Sequence, residues 1–79
     1  MREEILAKII ERGAPLWGAD AASLNENTTF EEMGAKSVHY SQITTFLEDE
    51  YDVEIPFMNF RRKKTLGEAA DYVLELVEE

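Results

Sequence analysis

Apolar residues recur at helical spacing in three stretches of this chain. In the first stretch, four aliphatic residues fall on one face of a helix: Ile5, Leu6, Ile9 and Ile10. Charged residues between them take the opposite face, so the pattern predicts a first helix. Gly13 and Pro15 are its predicted stop signals. Glycine suits a left-handed C-terminal position, and proline pushes the residue before it out of the helical region.

The second stretch predicts a helix over about residues 37 to 51. Its predicted inward residues are Val38, Ile43, Phe46, Leu47 and Tyr51. Ser37 stands directly before the first of them. A serine oxygen commonly accepts a hydrogen bond from the free N–H groups of a helix's first turn. The spacing therefore predicts that Ser37 is the N-cap of helix two, a role that requires no chemistry.

The C-terminal stretch predicts a last helix, whose inward residues are Ala69, Tyr72, Val73, Leu76 and Val77. Thr65 and Glu68 have the spacing of a capping box at its start. The apolar group Phe57, Met58 and Phe60 predicts a short helix or turn before it.

Small and polar residues dominate from position 18 to position 36, with Leu24, Phe30 and Met33 as the bulky anchors. This composition predicts a long loop between helices one and two. No stretch has the alternation of a strand. The predicted fold class is therefore all-α, a small bundle of three longer helices plus one short helix.

The length and charge of the chain narrow the classes of function. With 79 residues we expect a single domain, 1–79, that buries about 60% of the surface of its unfolded chain. Eight basic and seventeen acidic residues give a net charge of −9, which disfavours binding to nucleic acid and to anionic lipid. The chain has no cysteine and no long apolar run. We expect a soluble, cytoplasmic monomer without membrane insertion.

The residue pattern offers no catalytic or metal site. Ser37 and His39 are two residues apart on a helix, so their side chains point about 200° apart and cannot form a nucleophile and base pair. The acidic run from Asp49 to Glu54 has apolar or aromatic residues where a calcium loop needs oxygen ligands. The basic run from Arg61 to Lys64 is a weak footprint for nucleic acid in so acidic a chain.

Three segments resemble the acyl carrier protein family. Residues 34–38 read GAKSV after Phe30, residues 47–56 read LEDEYDVEIP, and residues 65–73 read TLGEAADYV. Their order and spacing match the family without a gap, over about residues 28 to 75. The resemblance implies a chain that is not an enzyme. A transferase would attach 4′-phosphopantetheine covalently to Ser37, and the terminal thiol of that arm would carry acyl groups as thioesters.

The resemblance also implies partners, namely a phosphopantetheinyl transferase and acyl-transfer, acyl-ligase or condensing enzymes of fatty-acid or a specialised lipid or polyketide-type biosynthesis. The residues predicted to recognise these partners are Lys36, Val38, His39, Gln42, Glu48 and Asp49. Lys36, His39 and Gln42 replace acids that the family usually has, so we expect a specialised member. The alternative is an unmodified acidic helical module for protein interaction, in which Ser37 is only a cap.

Overall fold

Four α-helices and one short 3-10 helix make up the computed structural model, which describes residues 1–79. The α-helices are α1 (Arg2–Trp17), α2 (Ser37–Tyr51), α3 (Phe57–Arg61) and α4 (Leu66–Glu78). The 3-10 helix, Ala21–Ser23, lies in the loop between α1 and α2. The all-α prediction is confirmed, with three longer helices and one short one. None of the helices is long and apolar enough to cross a membrane.

The predicted apolar faces of the helices meet in one core, in which α1 packs against both α2 and α4. The largest fully buried side chains are Ile5, Ile9, Phe30, Ile43, Leu47, Phe60, Leu66 and Val73. One prediction for α2 is wrong, because Val38 is 54% exposed. Thr44 is buried on this helix instead, and its hydroxyl donates a 3.0 Å hydrogen bond to the carbonyl oxygen of Ser41.

The predicted stop of the first helix is also wrong, since α1 runs through Gly13 and Pro15 to Trp17. Gly13 is needed there because a Cβ atom would lie 2.5 Å from the Trp17 ring. The helix ends at Gly18, whose φ of 63° lies in the left-handed region. The carbonyl oxygen of Ala14 then accepts a 2.9 Å hydrogen bond from the N–H of Ala19. This closing motif, together with Trp17 packed on the core, carries the helix past the proline.

The long loop is tied down by its predicted anchors and by the start of α4. Leu24 and Phe30 are buried, and Met33 is half-buried. Three backbone hydrogen bonds join the two segments: Phe30 N–H to Lys64 O at 3.0 Å, Leu66 N–H to Thr28 O at 2.9 Å and Gly67 N–H to Glu26 O at 3.0 Å. The loop that leads to α2 is therefore fixed relative to α4.

The acidic C-terminal end of α2 makes contacts within the protein. The Glu48 carboxylate accepts a 2.8 Å hydrogen bond from the N–H of Ile55. The Glu50 carboxylate pairs with Lys8 of α1 at 2.6 Å. The Tyr51 hydroxyl donates a 2.9 Å hydrogen bond to the carboxylate of Glu4 in α1. Burial, and then that hydrogen bond, raise the pKa of Tyr51 to about 12.

Candidate functional site

Ser37 is the first residue of α2, and the prediction that it is the N-cap is wrong by one position. The N-cap is Lys36, whose backbone is extended at φ −114° and ψ 168°. A lysine side chain has no hydrogen-bond acceptor, so it cannot satisfy an N–H group of the first turn. The serine lies one residue beyond the cap position, and its side chain is exposed.

The first turn of α2 leaves two backbone N–H groups free. The carbonyl oxygen of Lys36 accepts from the N–H groups of His39 at 2.9 Å and Tyr40 at 3.2 Å. The N–H groups of Ser37 and Val38 have no backbone partner. These free donors and the positive end of the helix dipole favour a negative group beside the Ser37 hydroxyl. An anionic group on this oxygen therefore fits the site.

A glycine turn leads the chain into α2. Gly34 has a φ of 66°, and nothing lies within 4 Å of where its Cβ would be. The carbonyl oxygen of Phe30 accepts from the N–H groups of Met33 at 3.2 Å and Ala35 at 3.1 Å. Since Phe30 is 1% exposed, this turn is anchored in the core. The turn and its buried anchor together fix the direction in which α2 starts.

His39 has a role that the sequence did not suggest. Its Nδ1 accepts a 3.0 Å hydrogen bond from the backbone N–H of Lys36, which is half of a capping box. The other half cannot form, because the lysine side chain is only a donor. His39 is half-buried, with its ring edge-on to Trp17 at 6.5 Å between centroids. Its Nδ1 is thus engaged with the backbone, and it makes no pair with Ser37.

A group of aromatic rings supports this end of α2. Phe30 lies 4.9 Å from Tyr40 and 6.0 Å from Phe60, and Trp17 packs edge-on against Phe30 at 6.0 Å between centroids. The indole N–H of Trp17 is buried without a hydrogen-bond partner. The sequence prediction missed Tyr40, although it lies one turn after Lys36 and helical spacing places it near the start of α2.

The residues predicted to recognise partners fall into two groups. Lys36, Val38 and Asp49 are exposed. The other three are half-buried and hydrogen-bonded within the protein. His39 and Glu48 make the contacts described above, and the Gln42 side-chain oxygen accepts a 2.8 Å hydrogen bond from Arg12 of α1. No group of three or more histidine or acidic side chains is arranged to hold a metal ion.

Comparison with known proteins identifies the family. The family profile described as "Phosphopantetheine attachment site" matches residues 4–73. The acyl carrier protein of Lactobacillus acidophilus is 36% identical over 72 residues, which is 90% of both chains. That of Rubrobacter xylanophilus is 36% identical over 75 residues, which is 94% of this chain and 93% of the relative. The chain belongs to the acyl carrier protein family.

A solved structure supports the family at the level of the fold. The crystal structure of an acyl carrier protein from Thermotoga maritima superimposes with a TM-score of 0.79 and 26% sequence identity. The match covers 98% of this chain and 91% of that one. Acyl carrier proteins are carriers and not catalysts, their cofactor is covalent phosphopantetheine, and synthesis and transferase enzymes act on them. Fatty-acid biosynthesis is their usual role.

Proposed function

We propose that this chain carries acyl groups on a 4′-phosphopantetheine arm joined to Ser37 through a phosphodiester. The chain has three serines, and only Ser37 lies at the start of an α-helix beside unpartnered N–H groups. Ser23 is in the 3-10 turn, where its hydroxyl donates a 2.7 Å hydrogen bond to Asp20 O. Ser41 lies one turn into α2, where the backbone N–H groups are used by the helix.

The bound arm supplies a terminal thiol that holds the acyl group as a thioester. The protein supplies the rest. Ser37 is exposed, and the unpartnered N–H groups of Ser37 and Val38 lie at the same helix start, where they would favour a phosphate. The turn at Gly34 and the buried Phe30 hold this end of α2 in place. The unmodified interaction module is not favoured, because the family match covers residues 4–73.

Partner enzymes would bind the surface around Ser37. The exposure of the predicted recognition residues indicates which of them are free to make contacts. Lys36 and Val38 flank the serine and are exposed, as is Asp49 further along α2. We propose that these three contact the transferase and the acyl-transfer, acyl-ligase or condensing enzymes. We assign His39, Gln42 and Glu48 the role of holding α2 in place, because each already accepts a hydrogen bond within the protein through one side-chain atom.

The positive charge beside the serine suggests a specialised pathway. Lys36 stands where the family usually has an acid, and a like-charge clash with a basic enzyme surface can cost several kcal/mol. The protein should therefore be a poor substrate for housekeeping fatty-acid elongation enzymes. Lys36→Asp should improve its use by them, with a gain that shrinks as salt is raised. Equal use of the unaltered protein and a standard carrier would contradict the specialised role.

That the chain is a single domain, a monomer and cytoplasmic stays a prediction.

Intact mass after incubation with a phosphopantetheinyl transferase and coenzyme A tests the attachment residue. We expect one phosphopantetheine per chain, and none on Ser37→Ala. Ser23→Ala and Ser41→Ala are the matched controls and should be modified as the unaltered chain is. Modification of Ser37→Ala, or no modification of the unaltered chain by several transferases, would contradict the proposal.

A further inference from the structure

An open cleft lies beside Ser37, between the segment that precedes α2 and the end of α3. Its volume is about 490 Å³. Ala35 and Tyr40 line it, two residues before and three residues after Ser37. We call it the basic cleft, and its lining is completed by Thr29, Phe30, Glu31 and the basic run Arg61–Lys64. Residues on both sides of the attachment position therefore line a concave surface of the same protein.

The cations of the basic cleft lack carboxylate partners. Elsewhere, Arg2 pairs with Glu26 and Asp71, and Lys8 pairs with Glu50. No side-chain cation of the basic run forms an ion pair with a carboxylate, although the chain carries seventeen acids. Lys63 lies over the Tyr72 ring, 4.8 Å from its centroid. The other three are exposed, and Glu31 is the only acid in the lining.

The floor of the cleft is the Tyr40 ring, which is backed by the Phe30 ring, itself only 1% exposed. The Phe30 and Tyr40 rings pack at 4.9 Å between centroids. Burial raises the pKa of the Tyr40 hydroxyl, and the charge of Arg61 opposes the shift. Because the pKa lies above its ordinary value of about 10, the hydroxyl is protonated at neutral pH and can donate a hydrogen bond. The basic cleft therefore combines an aromatic floor, a hydroxyl donor and a cationic rim.

We propose that the basic cleft receives the distal carboxylate of a dicarboxylic acyl group carried on Ser37. The proposal rests on the attachment of the arm to Ser37. The methylene groups of such a cargo would lie on the aromatic floor, and guanidinium groups of the rim would bind the carboxylate, with which their fork geometry is complementary. The volume suits a small-molecule group. Tethering supplies an effective concentration in the millimolar range, so modest contacts suffice.

Two acyl groups of equal chain length, hexanoyl and adipoyl, test this proposal. A phosphopantetheinyl transferase loads each of them onto the protein from its coenzyme A thioester. The readout is the NMR shift of the side-chain Nε–H groups of Arg61 and Arg62. We expect the adipoyl form to fill the cleft about fivefold more than the hexanoyl form, the factor that an exposed ion pair supplies near the top of its usual range. Added salt should reduce the difference.

Two double variants complete the test. Arg61→Gln with Arg62→Gln should abolish the difference between the adipoyl and hexanoyl forms without changing loading at Ser37. In this variant the difference is followed by the NMR shifts of Tyr40. The charge-conserving control, Arg61→Lys with Arg62→Lys, should keep part of it. Identical spectra for the two cargoes would overturn the proposal. So would equal shifts in the form without an acyl group, because the arm's phosphate would then be the bound anion. Failure to load would overturn the attachment at Ser37, and this proposal with it.

Discussion

The starts of α2 and α4 differ in chemistry although their backbones are alike. Both N-cap residues are extended, Lys36 at φ −114° and ψ 168° and Thr65 at φ −114° and ψ 161°. At α4 the Thr65 hydroxyl accepts a 3.0 Å hydrogen bond from the N–H of Glu68, and loop carbonyls satisfy the two N–H groups before it. At α2 the corresponding two N–H groups are free, and the serine hydroxyl is displaced by one residue.

The difference agrees with the attachment that we propose at Ser37. The first turn of α4 is satisfied throughout, which stabilises the fold and fixes the long loop. The first turn of α2 leaves donors and a hydroxyl available, which a modification site requires. An ordinary cap at position 36 would stabilise a helix by about 0.5 to 2 kcal/mol. The chain forgoes that stabilisation beside Ser37, the residue that we propose for attachment.

Because the first turn of α2 is not capped, we expect the buried face of the helix to hold it in the fold. Truncating a core side chain on that face should therefore have the largest effect on stability. Leu47 is fully buried, so Leu47→Ala should lower the free energy of unfolding by about 2 to 5 kcal/mol. Urea unfolding followed by Trp17 fluorescence measures it. A cost below about 1 kcal/mol would show that this face does not hold the helix.

Removing the cap of α4 should cost less than this but remain clear. Thr65→Ala loses the hydrogen bond from Glu68 N–H and should lower stability by about 0.5 to 2 kcal/mol. Loading with phosphopantetheine should be unchanged. Thr65→Ser keeps the acceptor and is the matched control. An unchanged stability in Thr65→Ala would remove the contrast between the two helix starts.

Giving α2 the cap of α4 should stabilise the protein. Lys36→Thr places an acceptor hydroxyl on the same extended backbone, and we expect a gain of up to about 1 kcal/mol. Lys36→Ala removes the charge without adding an acceptor, and it should give no such gain. The two unfolding curves decide the point, and equal stability of the two variants would mean that the start of α2 needs no cap.

The half capping box should have a smaller effect. His39→Ala removes the acceptor for the Lys36 N–H and the edge contact with Trp17, and should cost about 0.5 to 1 kcal/mol. His39→Gln keeps an acceptor at this position and should recover part of the loss. If both variants match the unaltered chain in urea unfolding, the His39 hydrogen bond does not contribute to stability.

Sequence patterns predicted most of the fold because helical periodicity is a local property. α2 has the predicted bounds, α3 is a short helix at the predicted apolar group, and α4 begins directly after Thr65. The loop anchors Leu24 and Phe30 are buried. The end of α1 was wrong because Gly13 accommodates the Trp17 ring, a contact that spacing does not reveal. The capping box at α4 is half right, since the Glu68 carboxylate accepts from the N–H of Lys64 at 3.1 Å and not from that of Thr65.

The site was predicted less completely, because its details depend on contacts between elements. Periodicity locates a helix start only to within a residue or two, so it placed Ser37 at the cap. The bond from Arg12 to Gln42 joins α1 to α2, and residues 30 apart cannot be paired from sequence. The basic run from Arg61 to Lys64 was visible in the sequence. Only the tertiary structure brings it to the same cleft as Tyr40.

The stability of Ser37→Ala tests the central claim most directly, namely that this hydroxyl is not used in folding. Because Ser37 lies inside the helix and alanine has the higher helix propensity, the free energy of unfolding should stay the same or rise by up to about 0.5 kcal/mol. Urea unfolding of the unmodified proteins, monitored by Trp17 fluorescence, gives the value. A loss of about 1 to 2 kcal/mol would show that the serine caps α2 and would contradict the account.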